Sequence, residues 1–377
     1  MKTDRFETFF DAVIAIIITV LVLKLYQPEQ ATWNAIWTLN TQYLTYLLCY
    51  IIIFNTWYND HDFFKLIDEI DNKIVCVYGI LIFLLSLLPY FSTWLTLNFF
   101  SIHAQLIFGL LFISTNLTYT FSTYLICKAN PENNILNKIN FLKIRRYMPN
   151  IIIIIGMIFT CTIFIPATYI ACLIATLMWI IIVKMPNNMT EDKNRFESLI
   201  DAIVAIILTI IVLEITMANG GSITDLLNLK VEFLAYIISF IVCFNYWMYS
   251  NDLFNSVSRV NYNVIWSMGF SLFVLSLIPY FTQFVSENFY SKVAQSIYGI
   301  IFILIIISWL ITANNLKQIN SDSDNLQKMI KNNYPLYAMF IIVTIGFIIG
   351  CIFYPPLIMI SCLISIVAIW CINIISN

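Results

Sequence analysis

The sequence predicts an all-α integral membrane protein, with twelve transmembrane helices arranged as two parallel six-helix repeats. Three observations carry that expectation. Of the 377 residues, 60% are hydrophobic and 11% charged, whereas soluble domains are about one-quarter charged. Apolar runs of about 20 residues, long enough to cross a hydrocarbon core of ~30 Å, recur from end to end. The second half of the chain repeats the first at a constant offset of 190 residues.

The amino terminus reads as a first span that stays in place. Asp4, Glu7 and Asp11 interrupt the positive region a cleaved signal needs, and the run Ala12–Leu23 has no small-x-small cleavage site. Twelve spans follow in order, near 6–26, 34–57, 73–96, 102–127, 147–165, 167–184, 196–216, 226–248, 262–285, 291–313, 336–352 and 357–376. The fifth and sixth meet at Pro166, the eleventh and twelfth at Pro355-Pro356. Each of these pairs is either two thin spans or one re-entrant hairpin; two spans are preferred. Twelve spans place both termini on one side. All but three of the 19 Lys and Arg (Lys24, Lys230 and Lys292) then share that side, and the positive-inside rule makes it the cytoplasm. The most basic loop is 128–146, with Lys128, Lys138, Lys143, Arg145 and Arg146.

Several function classes fall away. A formal net charge of −2 with no basic arm or stripe excludes a nucleic-acid partner. The nine cysteines lie mostly within apolar runs and form no C-x-x-C pair, and the only histidines are His61 and His103. The thiols read as buried and unpaired, with no zinc site. H-E-x-x-H, paired histidine boxes and G-x-S-x-G are all missing, so neither an enzyme nor a bound cofactor is expected.

The duplication divides the chain into repeats 1–190 and 191–377. The 190-residue shift pairs Arg5-Phe6-Glu7 with Arg195-Phe196-Glu197, Phe54-Asn55 and Trp57 with Phe244-Asn245 and Trp247, and Pro89-Tyr90-Phe91 with Pro279-Tyr280-Phe281. Ala104-Gln105 and Gly109 meet Ala294-Gln295 and Gly299, and Gly156, Cys161 and Pro166 meet Gly346, Cys351 and Pro356 without a gap. An even number of spans per unit makes the repeats parallel, related by an axis along the membrane normal. That symmetry suits an axial pore and equally a two-lobed transporter.

The densest match is in the first helix of each repeat, where eleven positions of 5–25 recur in 195–215. At 100° per residue, Ala12, Ile16, Thr19 and Leu23 form one stripe, repeated as Ala202, Ile206, Thr209 and Leu213. Asp11, Ala15 and Val22 form a second, repeated as Asp201, Ala205 and Val212. Helix–helix packing alone explains two constrained faces; a shared surface between the repeats is the other explanation. The threonines satisfy themselves by bonding back to the backbone. Asp11 and Asp201 are costlier, since a carboxylate at the edge of a span must reach water, a cation or a donor. Arg5 and Arg195 lie on a different face, so the donors are expected on another helix, where Trp57, His61, Trp247 and Asn251 stand.

These residues carry a resemblance. The pattern R-x-x-x-F-F-D-x-x-x-A-I-x-x-T-x-x-x-L at Arg5–Leu23 resembles the first-helix signature of an unconventional potassium channel family, that of the endosomal and lysosomal potassium channels of animals and their bacterial homologues. Through the duplication the resemblance covers essentially the whole chain. It departs where the serine of the family's Phe-Ser-Asp is Phe10, where the second copy reads Leu199-Ile200-Asp201, and where Trp57 and His61 are matched by Trp247 and Asn251. The departures bear on the cytoplasmic polar network and on gating; His61 is alternatively a simple interfacial histidine. The resemblance implies a homodimer in which four first-type helices line the pore. It implies a constriction at Ile16 and Ile206 and a hydroxyl ring at Thr19 and Thr209, one turn outward. Geometry agrees with the dimer, since two helices cannot enclose a path and four can.

A TVGYG-type carbonyl filter is absent from the sequence. Selection then rests on a narrow apolar neck where a cation sheds water with little replacement, which favours K⁺ modestly over Na⁺ and lets Rb⁺ and Cs⁺ pass. The rival is a secondary transporter of the major-facilitator kind. Against it, the loop Asn59–Lys65 lacks that fold's Gly-Asp-Arg-rich motif, and nine glycines are few for rocking helices. A lipid scramblase or a structural membrane protein also fits the bare pattern. The abundance of Ile, Asn, Phe and Lys suggests an AT-rich bacterial genome and hence the plasma membrane; an animal homologue would sit in endosomes or lysosomes.

Overall fold

The computed structural model describes residues 3–64, 71–130, 143–182, 193–320, 323, 326–327 and 334–376. The described residues are helical, without a strand. They form two compact units, one of Met1–Leu25 and Asn40–Pro186, the other of Tyr26–Leu39 and Asn187–Asn377. The expected repeat boundary at 190, and most of the basic loop 128–146, lie outside the described residues.

The first unit starts with α1 (Thr3–Val22); the short α2 (Trp33–Thr38) that follows belongs to the second unit. Then come α3 (Asn40–Phe64), α4 (Asn72–Ser86), α5 (Leu88–Leu97), α6 (Ile102–Ala129), α7 (Lys143–Thr162) and α8 (Ala167–Ile182). The second unit continues with α9 (Lys193–Ile211), a 3₁₀ turn at Val212–Glu214, α10 (Ile223–Asn228), α11 (Lys230–Asn255), α12 (Tyr262–Ser276), α13 (Ile278–Glu287), α14 (Lys292–Ile319), α15 (Tyr334–Ile352) and α16 (Leu357–Ser376).

Four of the expected spans are each broken into two helices, the second and third and their repeat counterparts, the eighth and ninth. The second, expected over 34–57, is two helices. Thr32 caps α2 by accepting from the Ala35 N–H, the backbone leaves helical geometry at Leu39, and α3 then runs on to Phe64. Its last turns carry Asn59, Asp60 and His61, all buried, where a hydropathy window has already stopped. The third breaks at Leu87 because Pro89, in the first turn of α5, has no N–H to continue α4; Pro279 breaks α12 from α13 in the same way. Taking each broken pair as one, each repeat has six long helical segments. Asn72–Leu97, Ile102–Ala129, Lys193–Glu214, Lys230–Asn255, Tyr262–Glu287 and Lys292–Ile319 are long and apolar enough to cross a membrane. The chain is a multi-pass membrane protein.

The Pro166 pair forms an antiparallel hairpin. Its helices have 20 and 16 residues, about 30 and 24 Å at ~1.5 Å per residue. Gly156 lets them close: a Cβ there would clash with the Ala171 Cβ, and one at Gly346 with the Ser361 Cβ. The repeated glutamine ties each hairpin down. Gln105 donates to the Phe99 carbonyl (2.7 Å) and accepts from the Tyr169 N–H (3.0 Å); Gln295 does the same with Phe289 (2.8 Å) and Met359 (3.3 Å). All nine cysteines are free. Cys76, Cys161 and Cys371 are exposed and Cys351 half-buried, a correction to the expectation of buried thiols, while the other five are buried. Position inside an apolar run does not settle which side of a helix faces out.

Residues 26–39 dock within the second unit. The Tyr280 hydroxyl donates to the Tyr26 carbonyl (2.7 Å), and the Gln27 amide donates to the Tyr280 carbonyl and to Gln283 Oε1 (both 2.9 Å). The Ser291 hydroxyl reaches the Ala31 carbonyl at 3.4 Å.

Candidate functional site: the first helix of each repeat

Each first helix is pinned to the second long helix of its own repeat by a carboxylate–indole hydrogen bond. In α1, Asp11 Oδ1 accepts from the indole N–H of Trp57 on α3 at 2.8 Å, with Trp57 fully buried. In α9, Asp201 accepts from Trp247 on α11 at 2.7 Å. A carboxylate bonded to an indole in apolar surroundings gains more than it would in water, because the medium screens it less. His61 packs against Trp57, ring centroids 5.1 Å apart, and is itself buried. Asn251 lies exposed and accepts from Asn255 instead. Arg5 is exposed, whereas Arg195 is buried.

The Ala/Ile/Thr/Leu stripe is distributed unequally. Ala12, Ile16 and Leu23 are exposed, Ile16 by 49%, while Thr19 is wholly buried. In the second repeat, Ala202 and Ile206 are half-buried and Thr209 exposed on α9, and Leu213 is exposed in the 3₁₀ turn that follows. Both threonine hydroxyls turn back onto the backbone: Thr19 onto the Ala15 and Ile16 carbonyls (2.9 Å each), Thr209 onto the Ile206 carbonyl at 2.8 Å.

The packing around Phe10 and a second buried hydrogen bond beside it escaped the sequence reading. Phe10, where the resemblance calls for serine, is fully buried and meets Tyr78 edge-on (5.6 Å), with Phe6 and Phe64 completing the cluster. A hydroxyl there would leave a hole among aromatic rings. Beside it, the Tyr78 hydroxyl donates to the buried Asp60 at 2.7 Å. The second repeat has Ser250 and Met268 at these two positions, and Tyr246 points at the Met268 sulfur. The joint loss of Asp and Tyr at one offset was the available signal.

Comparison with known proteins matches this same region. The family model of the endosomal/lysosomal potassium channel TMEM175 matches residues 5–89 and 195–279, the portion of each repeat that contains the Asp–indole pair. A potassium channel of Chryseobacterium sp. (strain P1-3) is 33% identical over 163 residues, 43% of this chain and 84% of that relative. A potassium channel of Chamaesiphon minutus (strain ATCC 27169 / PCC 6605) is 28% identical over 126 residues, 31% of this chain and 62% of that relative.

Proposed function

The chain belongs to the TMEM175 potassium channel family, and on that premise we propose that it is a leak-like, modestly K⁺-selective cation channel built as a homodimer. Four first helices, two α1 and two α9, line the path. Ile16 and Ile206 form the neck, with Ala12, Leu23, Ala202 and Leu213 continuing the lining and Thr209 one turn outward. Thr19, covered in this conformation, joins the lining only when the helices part. At the neck a cation loses water without a ring of carbonyls to replace it, so K⁺, Rb⁺ and Cs⁺ enter at lower cost than Na⁺. Both termini face the cytoplasm, and the bacterial relatives favour a plasma membrane.

The observation that carries this reading is the Asp–indole bond, present in both repeats at 2.8 and 2.7 Å. It fixes the rotation of α1 on α3 and of α9 on α11, so that residues of equal rank are held in equal register. A first helix that only packed against lipid would need no such pin. The test is a bi-ionic reversal potential on purified protein in a planar bilayer, K⁺ against Na⁺. A K⁺-favouring potential is expected, and Ile16→Asn with Ile206→Asn should shift it towards Na⁺. Unchanged relative permeability would remove the neck from these two residues, and no current at any pH would return the parallel-repeat transporter.

A further inference from the structure

We infer that residues 216–229 form a docking arm that seats on the Tyr90–Ser101 shelf of a second copy of this chain. The inference rests on the homodimer proposed above and adds the surfaces that make it.

The template lies inside the second unit, where residues 26–39 occupy the shelf Tyr280–Ser291. Two of the contacts there end on main-chain carbonyls of the arm itself, those of Tyr26 and Ala31. At the repeat offset the shelf becomes Tyr90, Thr93 and Ser101, and the arm becomes Thr216, Met217 and Gly221. Thr216 and Gly221 offer the same carbonyls, and Tyr90 and Ser101 carry the same hydroxyls. Both arms end in a six-residue helix with a hydroxyl cap, Thr32 on α2 and Ser222 on α10.

Yet this second pair is open. Tyr280 is 3% exposed and Tyr90 64%, and Met217 stands 91% exposed on its arm. A shelf and an arm built alike, both uncovered within one chain, fit each other across two copies. A twofold dimer makes that contact twice.

The side chains agree. On the occupied shelf a polar chain runs from Gln27 through Gln283 to Glu287. Its counterparts are Met217, Thr93 and Leu97, and Leu97 is 61% exposed. The two ends of that chain, Met217 on the arm and Leu97 on the shelf, have turned apolar together, as two faces of one contact would.

The first helices give a second, independent sign. Asp11, Ala15 and Thr19 are buried in α1, while Asp201, Ala205 and Thr209 are exposed in α9. On another side the order reverses: Phe9 is exposed and Leu199 buried. Each first helix leaves open a face that its counterpart covers, as surfaces that await a further copy would.

The test is disulfide trapping in the full-length protein with Cys76, Cys161 and Cys371 replaced by alanine. Ser101→Cys with Gly221→Cys should give a reducible dimer band under copper-phenanthroline, absent from either single variant. Ala31→Cys with Ser291→Cys should close within one chain and run as a monomer. Native mass spectrometry reports assembly separately. Dimer mass without the Ser101–Gly221 cross-link would overturn the arm and leave the dimer standing; monomer mass would remove both; a link closing within one chain would overturn the arm. In addition, Tyr90→Ala should weaken dimerisation about tenfold, as loss of a buried interface tyrosine does. Phe83→Ala, exposed on a spanning segment, should change it less than about twofold. Equal effects of the two would make Tyr90 a lipid-facing residue and overturn the arm.

Discussion

The two copies of the first helix make the same bond in different surroundings. Asp11 meets Trp57 at 2.8 Å with both groups buried, and Asp201 meets Trp247 at 2.7 Å with the carboxylate exposed. Identity at eleven positions has preserved the choice of partner but not its solvent. The difference teaches that duplication can keep one internal contact while the exposure of the same faces diverges. Such exposure is therefore not set by the repeat itself.

Two substitutions bear on that contrast, the larger effect first. Asp11→Ala strands a buried indole N–H and should cost about 2 kcal/mol, the scale for a hydrogen bond to a charged group. Asp201→Ala, in a monomer, should cost less than about 1 kcal/mol because water takes over the indole. Thermal unfolding followed by tryptophan fluorescence in detergent separates the two. Equal losses in monomeric protein would break the contrast, and a loss at Asp201 that grows on dimerisation would sharpen it.

Gln27→Ala removes two bonds to the Tyr280 shelf and should destabilise the 26–39 segment by about 1 kcal/mol, read as faster proteolytic cleavage there. Met217→Ala should leave that segment unaffected. The smallest effect concerns the cap of α10. Hydrogen bonds from the Ser222 hydroxyl and N–H hold the Asp225 carboxyl below its usual range. The folded group therefore ionises more readily than the unfolded one, and its contribution is present above the ordinary carboxylate pKa and lost as pH falls through the lowered one. Ala35 stands at the matching place in α2, so amide exchange of α10 should quicken in acid beyond that of α2.

Composition and the repeat made the architecture legible, because a hydrocarbon solvent tolerates few backbone solutions. The carboxylate's need for a donor named Trp57 and Trp247 among four candidates. The offset also flagged Gln105 and Gln295, but not their task, since a side-chain amide binding a remote backbone leaves no periodic trace. Phe10 was visible as a departure, yet its reason lay in Tyr78 and Phe64, distant in sequence. The unequal exposure of Thr19 and Thr209 was illegible, as identical letters carry no record of what covers them. The docking of residues 26–39 was hidden for a related reason: two of its acceptors are main-chain carbonyls.

That last feature reaches beyond the folded chain. A segment gripped through its carbonyls is indifferent to many changes of letter and intolerant of changes of length. One residue deleted between Tyr26 and Ala31 would misplace the second carbonyl by ~3 Å, further than a hydroxyl can follow. Away from Gln27, whose side chain makes two of the docking bonds, this stretch thus tolerates a change of letter better than a change of length.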